Sequence, residues 1–251
     1  MATMIQHPFE RHETAAAVWL TAPLLTEHGV LHAFSTAQRT IVGQAGRREA
    51  DLAALAEAIG AGRPAIYRVQ QVHGAALVEV SAEDEAQAVA KREADALVAS
   101  TRGLGLVVQT ADCLPILVAD QTAGVAAAIH AGWRGCVAGV IQAAIARLRD
   151  RGAKPERMLA AIGPAISGRN YQIGPEVAEQ FAGFAGALSE RAGHSYLDLP
   201  KVAGQILLEQ GLAATRITAC QRCTLEQAEL LFSYRRQGKA AGRNLSLVVV
   251  P

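Results

Sequence analysis

Three short segments each place a soft or borderline metal ligand where an apolar run gives way to a turn. They are Gln71-Val72-His73-Gly74, Thr110-Ala111-Asp112-Cys113-Leu114-Pro115 and His130-Ala131-Gly132-Trp133-Arg134-Gly135. Glycine or proline beside each ligand lets the backbone turn sharply, so that a side chain can leave a strand end and enter a shared cleft. Two imidazoles and a thiolate suit Zn²⁺, and three protein ligands leave a fourth coordination position open for chemistry. The ligands stand 40 and 17 residues apart, far from the close spacing of a zinc-finger clip, so the site depends on the fold. On residue type alone a second arrangement stays open: a packed Cys113 with two hydrogen-bonded histidines, the usual fate of a buried cysteine or lone histidine.

The same residues allow a different chemistry, with Cys113 as a thiolate nucleophile activated by His130 in an amide hydrolase. Asp112 is either a proton carrier or a group that braces its neighbour, since adjacent residues on an extended segment point to opposite faces. Multicopper phenol oxidation is disfavoured: it needs many clustered histidines, and His7, His12, His28, His32 and His194 form no ligand pattern. Cys220-Gln221-Arg222-Cys223 is a lone C-x-x-C pair, without the second pair or strand-helix context that would mark a metal or redox site.

The elements that must position these residues are short. A helix is expected from Arg48 to Ile59, with Leu52, Leu55, Ala56 and Ile59 on one face and Gly60 as its stop. Ala65 to Val72 and Ala76 to Val80 read as strands broken at His73 and Gly74. Ala96–Val98, Leu104–Gln109, Leu114–Ala119 and Gly124–Ile129 read as buried central strands. The period then changes: Val137, Val140, Ile141, Ala144, Ile145 and Leu148 share one stripe, predicting a helix over Cys136–Arg151 capped by Gly152. A strand at Met158–Ile162, helices starting at Pro175 and Pro200, and strands at Arg216–Ala219 and Leu245–Val250 complete the chain. Clustered strands with irregularly interspersed helices predict an α+β fold of layered mixed sheets flanked by helices.

At 251 residues, 51% hydrophobic and 19% charged, the chain can bury one large core, and residues 1–251 read as a single domain. Its 24 basic against 23 acidic residues lack the excess that phosphate-backbone binding needs, so nucleic acid is not an expected partner. The apolar stretch from Leu104 to Ala146 is interrupted by Asp112, Asp120, His130 and Arg134, which would be costly in lipid, and no secretory signal is expected at the N-terminus. A cytoplasmic protein with reduced cysteines follows as the expectation, acting as a monomer or small homo-oligomer.

The segments QVHG, TADCLPIL and HAGWRG resemble the YfiH-like family, which includes the human laccase-domain-containing protein and bacterial proteins labelled polyphenol oxidase or purine nucleoside phosphorylase. The resemblance runs from about Ser35 to the end. It extends to Gly163-Pro164-Ala165-Ile166, Tyr171 with Ile173-Gly174, Leu197-Asp198-Leu199, Cys223-Thr224, Phe232-Ser233-Tyr234-Arg235-Arg236 and Gly242-Arg243. It implies that His73, Cys113 and His130 are zinc ligands, and that the fold is similar to a layered bacterial toxin deamidase. The activities implied are phosphorolysis of adenosine, inosine, guanosine or methylthioadenosine and deamination of adenosine, with nucleoside and phosphate as small-molecule partners. A peptidoglycan-precursor editing role attached to some relatives supports the amide-hydrolase alternative, and the older family label supports copper.

Phosphorolysis needs an anion cradle. Arg134, just before a helix expected to start near Gly135, could supply a guanidinium beside helix amides, with Arg235, Arg236 and Arg243 as further candidates and Tyr171 as a substrate contact. Each arginine could equally be a surface or ion-pairing side chain. Deamination asks for hydroxide near neutral pH, which zinc makes accessible, although the His-x-Glu with Pro-Cys-x-x-Cys signature of nucleobase deaminases is absent. Trp133 could stack on a purine or pack locally. The chain departs from the family pattern at Ala37-Gln38-Arg39, at Arg169-Asn170 and at Asn244, which exposes substrate preference more than the metal ligands.

Overall fold

The computed structural model describes residues 8–39 and 48–251, without the side chains of Arg39 and Arg48; His7 lies outside the described residues. The chain opens with β1 (Glu10–Glu13), β2 (Ala17–Thr21), α1 (Pro23–Glu27) and β3 (His32–Arg39). Helix α2 (Arg48–Ala58) precedes β4 (Ile66–Tyr67), β5 (Leu77–Val80), α3 (Ala86–Val89) and β6 (Ala96–Ala99). The centre is β7 (Gly105–Thr110), β8 (Leu114–Asp120), β9 (Val125–Ala131), α4 (Trp133–Ala138) and α5 (Val140–Asp150). Then follow β10 (Leu159–Ile162), β11 (Gln172–Ile173), α6 (Pro175–Gln180), β12 (Leu188–Arg191), β13 (His194–Leu197), α7 (Leu199–Glu209), β14 (Ile217–Ala219), α8 (Tyr234–Gln237) and β15 (Asn244–Val249).

Two six-stranded mixed sheets form the body, in the orders β14-β10-β8-β9-β6-β5 and β1-β2-β3-β15-β7-β4; β11-β13-β12 make a small third sheet. Strand alternation explains the layers. In β8, Ile116 and Val118 point to one core with Val140, Ile141, Ile145, Val202 and Ile206 of α5 and α7. Leu117 and Ala119 point the other way, into a core shared with Leu20, Phe34, Leu106, Val108 and Val248 of the second sheet. The outer face of that second sheet is covered by Leu52, Leu55 and Ala56 of α2, against Trp19, Val107 and Leu247. The order is therefore helix, sheet, sheet, helices, an α+β architecture with every central strand apolar on both faces.

Helix α5 shows how the sequence enforces this. Val140, Ile141, Ala144, Ile145 and Leu148 are fully buried, each large side chain worth about 1.5–3 kcal/mol of gross burial. Its outer face ties to edge strand β5 through Arg147, which donates to Glu79 at 2.9 Å. The single helix expected over Cys136–Arg151 is instead two, because Gly139 takes φ +88° and ends α4 before α5 begins. The strand expected over Ala65–Val72 shrinks to Ile66–Tyr67. Beyond β4 the chain is held by side chains instead of a ladder: the Gln71 amide donates to Gln109 O and accepts from Gln109 N, both at 2.8 Å. Strands β1–β3 and the small third sheet were not anticipated.

Candidate metal centre and its cleft

The antiparallel β8–β9 register sets Leu114 opposite Ala131 and Pro115 opposite His130. Cys113, just before β8, and His130, near the end of β9, therefore meet at one end of the sheet. His73 reaches them from the loop held by Gln71, at a turn where its own φ is +64°. The ligand atoms of His73, Cys113 and His130 all lie within 4.8 Å of one another. The two imidazoles meet edge to face, with ring centroids 4.8 Å apart. Gly132 makes the room: a Cβ there would lie 3.1 Å from Cys113 Sγ and 3.2 Å from His73 Cδ2.

Exposure rises outward, from buried His130 through half-buried Cys113 to exposed His73. The trio lines a cleft of about 870 Å³ shared with Asp112, Arg134, Tyr171, Arg235 and Arg243. Burial alone would raise the Cys113 thiol, but hydrogen bonds and charge from His130 and His73 outweigh it and bring its pKa down to about 6. Burial likewise opposes charge on His130, and its bonds to Asp95 and Cys113 win, lifting it to about 9. Without a metal the pair is thus a thiolate beside an imidazolium. Burial pushes the Tyr171 phenol up to about 12, keeping it a hydrogen-bond donor.

His130 carries the feature that sequence reasoning missed. Its Nδ1 donates to Asp95 Oδ1 at 2.8 Å, leaving Nε2 for the cleft. The Asp95 carboxylate, fully buried, also accepts the backbone N–H groups of Val72 (3.3 Å), His73 (2.9 Å) and Gly74 (2.6 Å). The available signal was a lone acid heading the wholly apolar run Ala96–Ala99, since a buried carboxylate must have donors around it. Arg68 and Tyr234 also line the cleft without having been singled out as substrate contacts.

The remaining candidates separate. Both oxygens of Asp112 are engaged, by Thr224 Oγ1 at 2.5 Å and by the backbone N–H of Arg235 at 2.7 Å, which suits bracing and not proton carriage. Arg134 lies inside the six-residue helix α4, not before a helix at Gly135, and its guanidinium stacks 4.3 Å above the half-buried Trp133 ring. Arg235 lies exposed at the cleft, 5.6 Å from the Tyr171 ring. Arg243 reaches the cleft while bonding Ala241 O and Gly242 O. Arg236 lies apart from them. Its guanidinium donates to the carbonyls of Thr224, Leu225 and Leu231 at 2.6–2.9 Å, lines no part of the cleft, and is part of the scaffold.

One departure from the family pattern and the C-x-x-C pair are also placed. Asn170 donates to Cys223 Sγ, Ser167 Oγ and Glu226. Cys220 and Cys223 are buried free thiols, not a disulfide. Of the other histidines, His12, His28, His32 and His194 bond to Thr21, to Leu24 O, to backbone groups and to Gln172 respectively.

The two-sheet α+β body is a fold seen also in a solved YfiH protein. The YfiH protein of Bacillus licheniformis has the same fold, with a TM-score of 0.85 at 21% identity over 96% of this chain and 99% of that one. The chain belongs to the YfiH-like, laccase-domain family: the family model described as multi-copper polyphenol oxidoreductase laccase matches residues 44–251. A purine nucleoside phosphorylase of Deinococcus radiodurans is 40% identical over 201 residues, 79% of this chain and 76% of the relative. The purine nucleoside phosphorylase YfiH of Escherichia coli is 38% identical over 184 residues, 72% of each.

The trio fits zinc by its donor set. Sulfur and imidazole nitrogen are its preferred ligands, and a three-ligand shell with an exposed outer member leaves a face open to the cleft. Among the described residues no helix is long and apolar enough to cross a membrane.

Proposed function

We propose that this chain is a zinc-dependent purine nucleoside phosphorylase. Its substrates would be adenosine, inosine, guanosine and methylthioadenosine, and it would also deaminate adenosine to inosine. The observation that carries this reading is the convergence of His73, Cys113 and His130 on a cleft of about 870 Å³ whose rim holds Arg134, Arg235 and Arg243. The names of relatives at 38–40% identity supply the substrate class.

In phosphorolysis a phosphate oxygen attacks C1′ of the ribose, the bond to the purine breaks, and the base leaves with the electron pair and takes a proton. The rim guanidinium groups suit the phosphate, because a charged fork holds an oxyanion by short charge-assisted bonds. Tyr171, kept protonated, offers an O–H to substrate; exposed Tyr234 offers an aromatic face to the base. His73, Cys113 and His130 would hold zinc, which would supply Lewis acidity to the cleft. Asp112 would keep Arg235 and Thr224 in register with Cys113. A reducing compartment, the cytoplasm, goes with a cysteine ligand of this reactivity.

The test is incubation with adenosine, with and without phosphate, and chromatographic separation of adenine, inosine and hypoxanthine. Adenine appearing only with phosphate, and lost in His73→Ala, is expected. No product from the wild type, or full activity in His73→Ala, refutes the assignment.

One observation favours a second reading. Cys113, His130 and Asp95 stand in the order nucleophile, base and orienting carboxylate, with a thiol pKa of about 6. That is the arrangement of a cysteine amide hydrolase. Activity that survives metal removal and is abolished by stoichiometric modification of Cys113 would select it.

A further inference from the structure

We propose that Asp95 is the positioning residue that sets metal affinity at this site, one carboxylate holding two ligand histidines at once. The proposal rests on the reading of His73, Cys113 and His130 as metal ligands.

A carboxylate has about four lone-pair directions, and Asp95 fills all four with donors from two separate parts of the site. Three are the consecutive backbone N–H groups of Val72, His73 and Gly74, which wrap the anion at the turn where His73 adopts φ +64°. That conformation is uncommon for a residue with a side chain, and the anion at its centre supplies the compensation. The fourth donor is His130 Nδ1–H, which fixes the ring orientation and directs Nε2 toward Cys113. The main chain of Asp95 adds two further anchors: its carbonyl accepts from His130 N at 2.7 Å, and its N–H donates to Ala76 O at 2.8 Å. Movement of this side chain therefore displaces both histidines together.

Asparagine at 95 keeps the size and loses the function. Its NH₂ group would face N–H donors it cannot accept from, so either the His73 turn or the His130 ring loses its partner. Losing the carboxylate behind a ligating histidine weakens metal binding by about 10–100-fold.

The test is zinc affinity of the folded proteins, by competition with a chromophoric chelator, for wild type, Asp95→Asn and Asp84→Asn, a control acid in another loop. Expected are one zinc per chain in all three, an affinity about 10–100-fold weaker in Asp95→Asn, and no change in Asp84→Asn. A folded Asp95→Asn protein within threefold of wild type overturns the proposal. Nitrogen-15 spectra of the histidines keep it testable if Asp95→Asn does not fold. In wild type, with or without zinc, His130 should carry a slowly exchanging proton on Nδ1; its absence overturns the proposal. Wild type that binds no zinc would refute the metal reading and with it an affinity role for Asp95, whereas zinc-binding wild type with an unaffected Asp95→Asn refutes the positioning role alone.

Discussion

Stripped of metal, Cys113 should react with disulfides faster than an ordinary thiol and at lower pH. Its pKa falls from 9.0 to about 6 through His130 and His73. At pH 7 the thiolate fraction is then about 90%, against about 1% for an unshifted thiol, a gain of about 90-fold. Nucleophilicity falls with basicity at a Brønsted slope of about 0.4–0.5, so three units of acidity take back about 15–30-fold. The net advantage is about 3–6-fold at pH 7 and grows to about 30–60-fold at pH 5, where the reference thiol is almost entirely protonated. Chelated protein mixed with 4,4′-dithiodipyridine in a stopped-flow instrument gives the rate at each pH. Cys136 and Cys220 do not interfere, because burial pushes them to about 12 and about 11. Cys223, whose burial is outweighed by hydrogen bonds from Ser167 and Asn170 that hold its thiol below the ordinary value, is replaced by serine in the protein measured. The rate should level off above pH 6, and one equivalent of zinc should suppress it. A rate that keeps climbing tenfold per unit to pH 8 would show that the histidines do not stabilise the thiolate, and the reasoning would be wrong.

Acid should destabilise the fold through His32, whose pKa is held down at about 4, chiefly by burial. Its Nε2 accepts from Ala22 N–H, so a proton there breaks the bond. Because the folded pKa lies below the unfolded 6.5, stability is complete above pH 6.5 and falls by about 3 kcal/mol as pH drops to 4; urea melts of wild type and His32→Gln should show the steeper slope only in wild type. Gly132→Ala should weaken zinc binding while leaving the melting temperature nearly unchanged, since its methyl presses on Cys113 and His73 alone; unchanged affinity in the chelator assay would contradict this. Arg236→Ala should lose about 2–3 kcal/mol of stability in urea melts with three charged backbone bonds gone. Arg235→Ala should melt normally and raise the KM for phosphate, and the reverse pattern would reverse the two roles. Gly163→Ala should fold poorly or not at all, as its Cβ would fall 2.3 Å from Phe34 Cε1; a soluble, normally melting variant counts against this packing.

The meeting of His73, Cys113 and His130 was legible because each sits in a glycine- or proline-flanked segment at the end of an apolar run. Asp95 was not, because a single aspartate before an apolar strand looks like a turn residue until its four donors are brought to it from elsewhere. Arg235 and Arg236 show the same limit at shorter range: adjacent guanidinium groups are equivalent in sequence, and only the short helix α8 turns one to the cleft and the other to three carbonyls. The stripe of α5 was readable from its period, while the break at Gly139 needed a backbone angle that composition does not reveal. Strands β1–β3 were hidden for another reason. β2 is buried along its whole length and so shows no alternation, and β1 is polar on both faces, so pairing rather than pattern makes them strands.

Strand β15 lies between β3 and β7, and its Leu245 N–H reaches Ser35 Oγ across 210 residues of chain. In kinetic terms, the second sheet consists until then of two half-sheets, β1-β2-β3 and β7-β4, each presenting a bare edge to solvent. Contacts of such separation form slowly, and unpaired edges are where chains stick to one another. The step that closes the sheet is thus also the one most open to competition from other copies, and crowding should tax the refolding yield of this protein long before it affects the finished molecule.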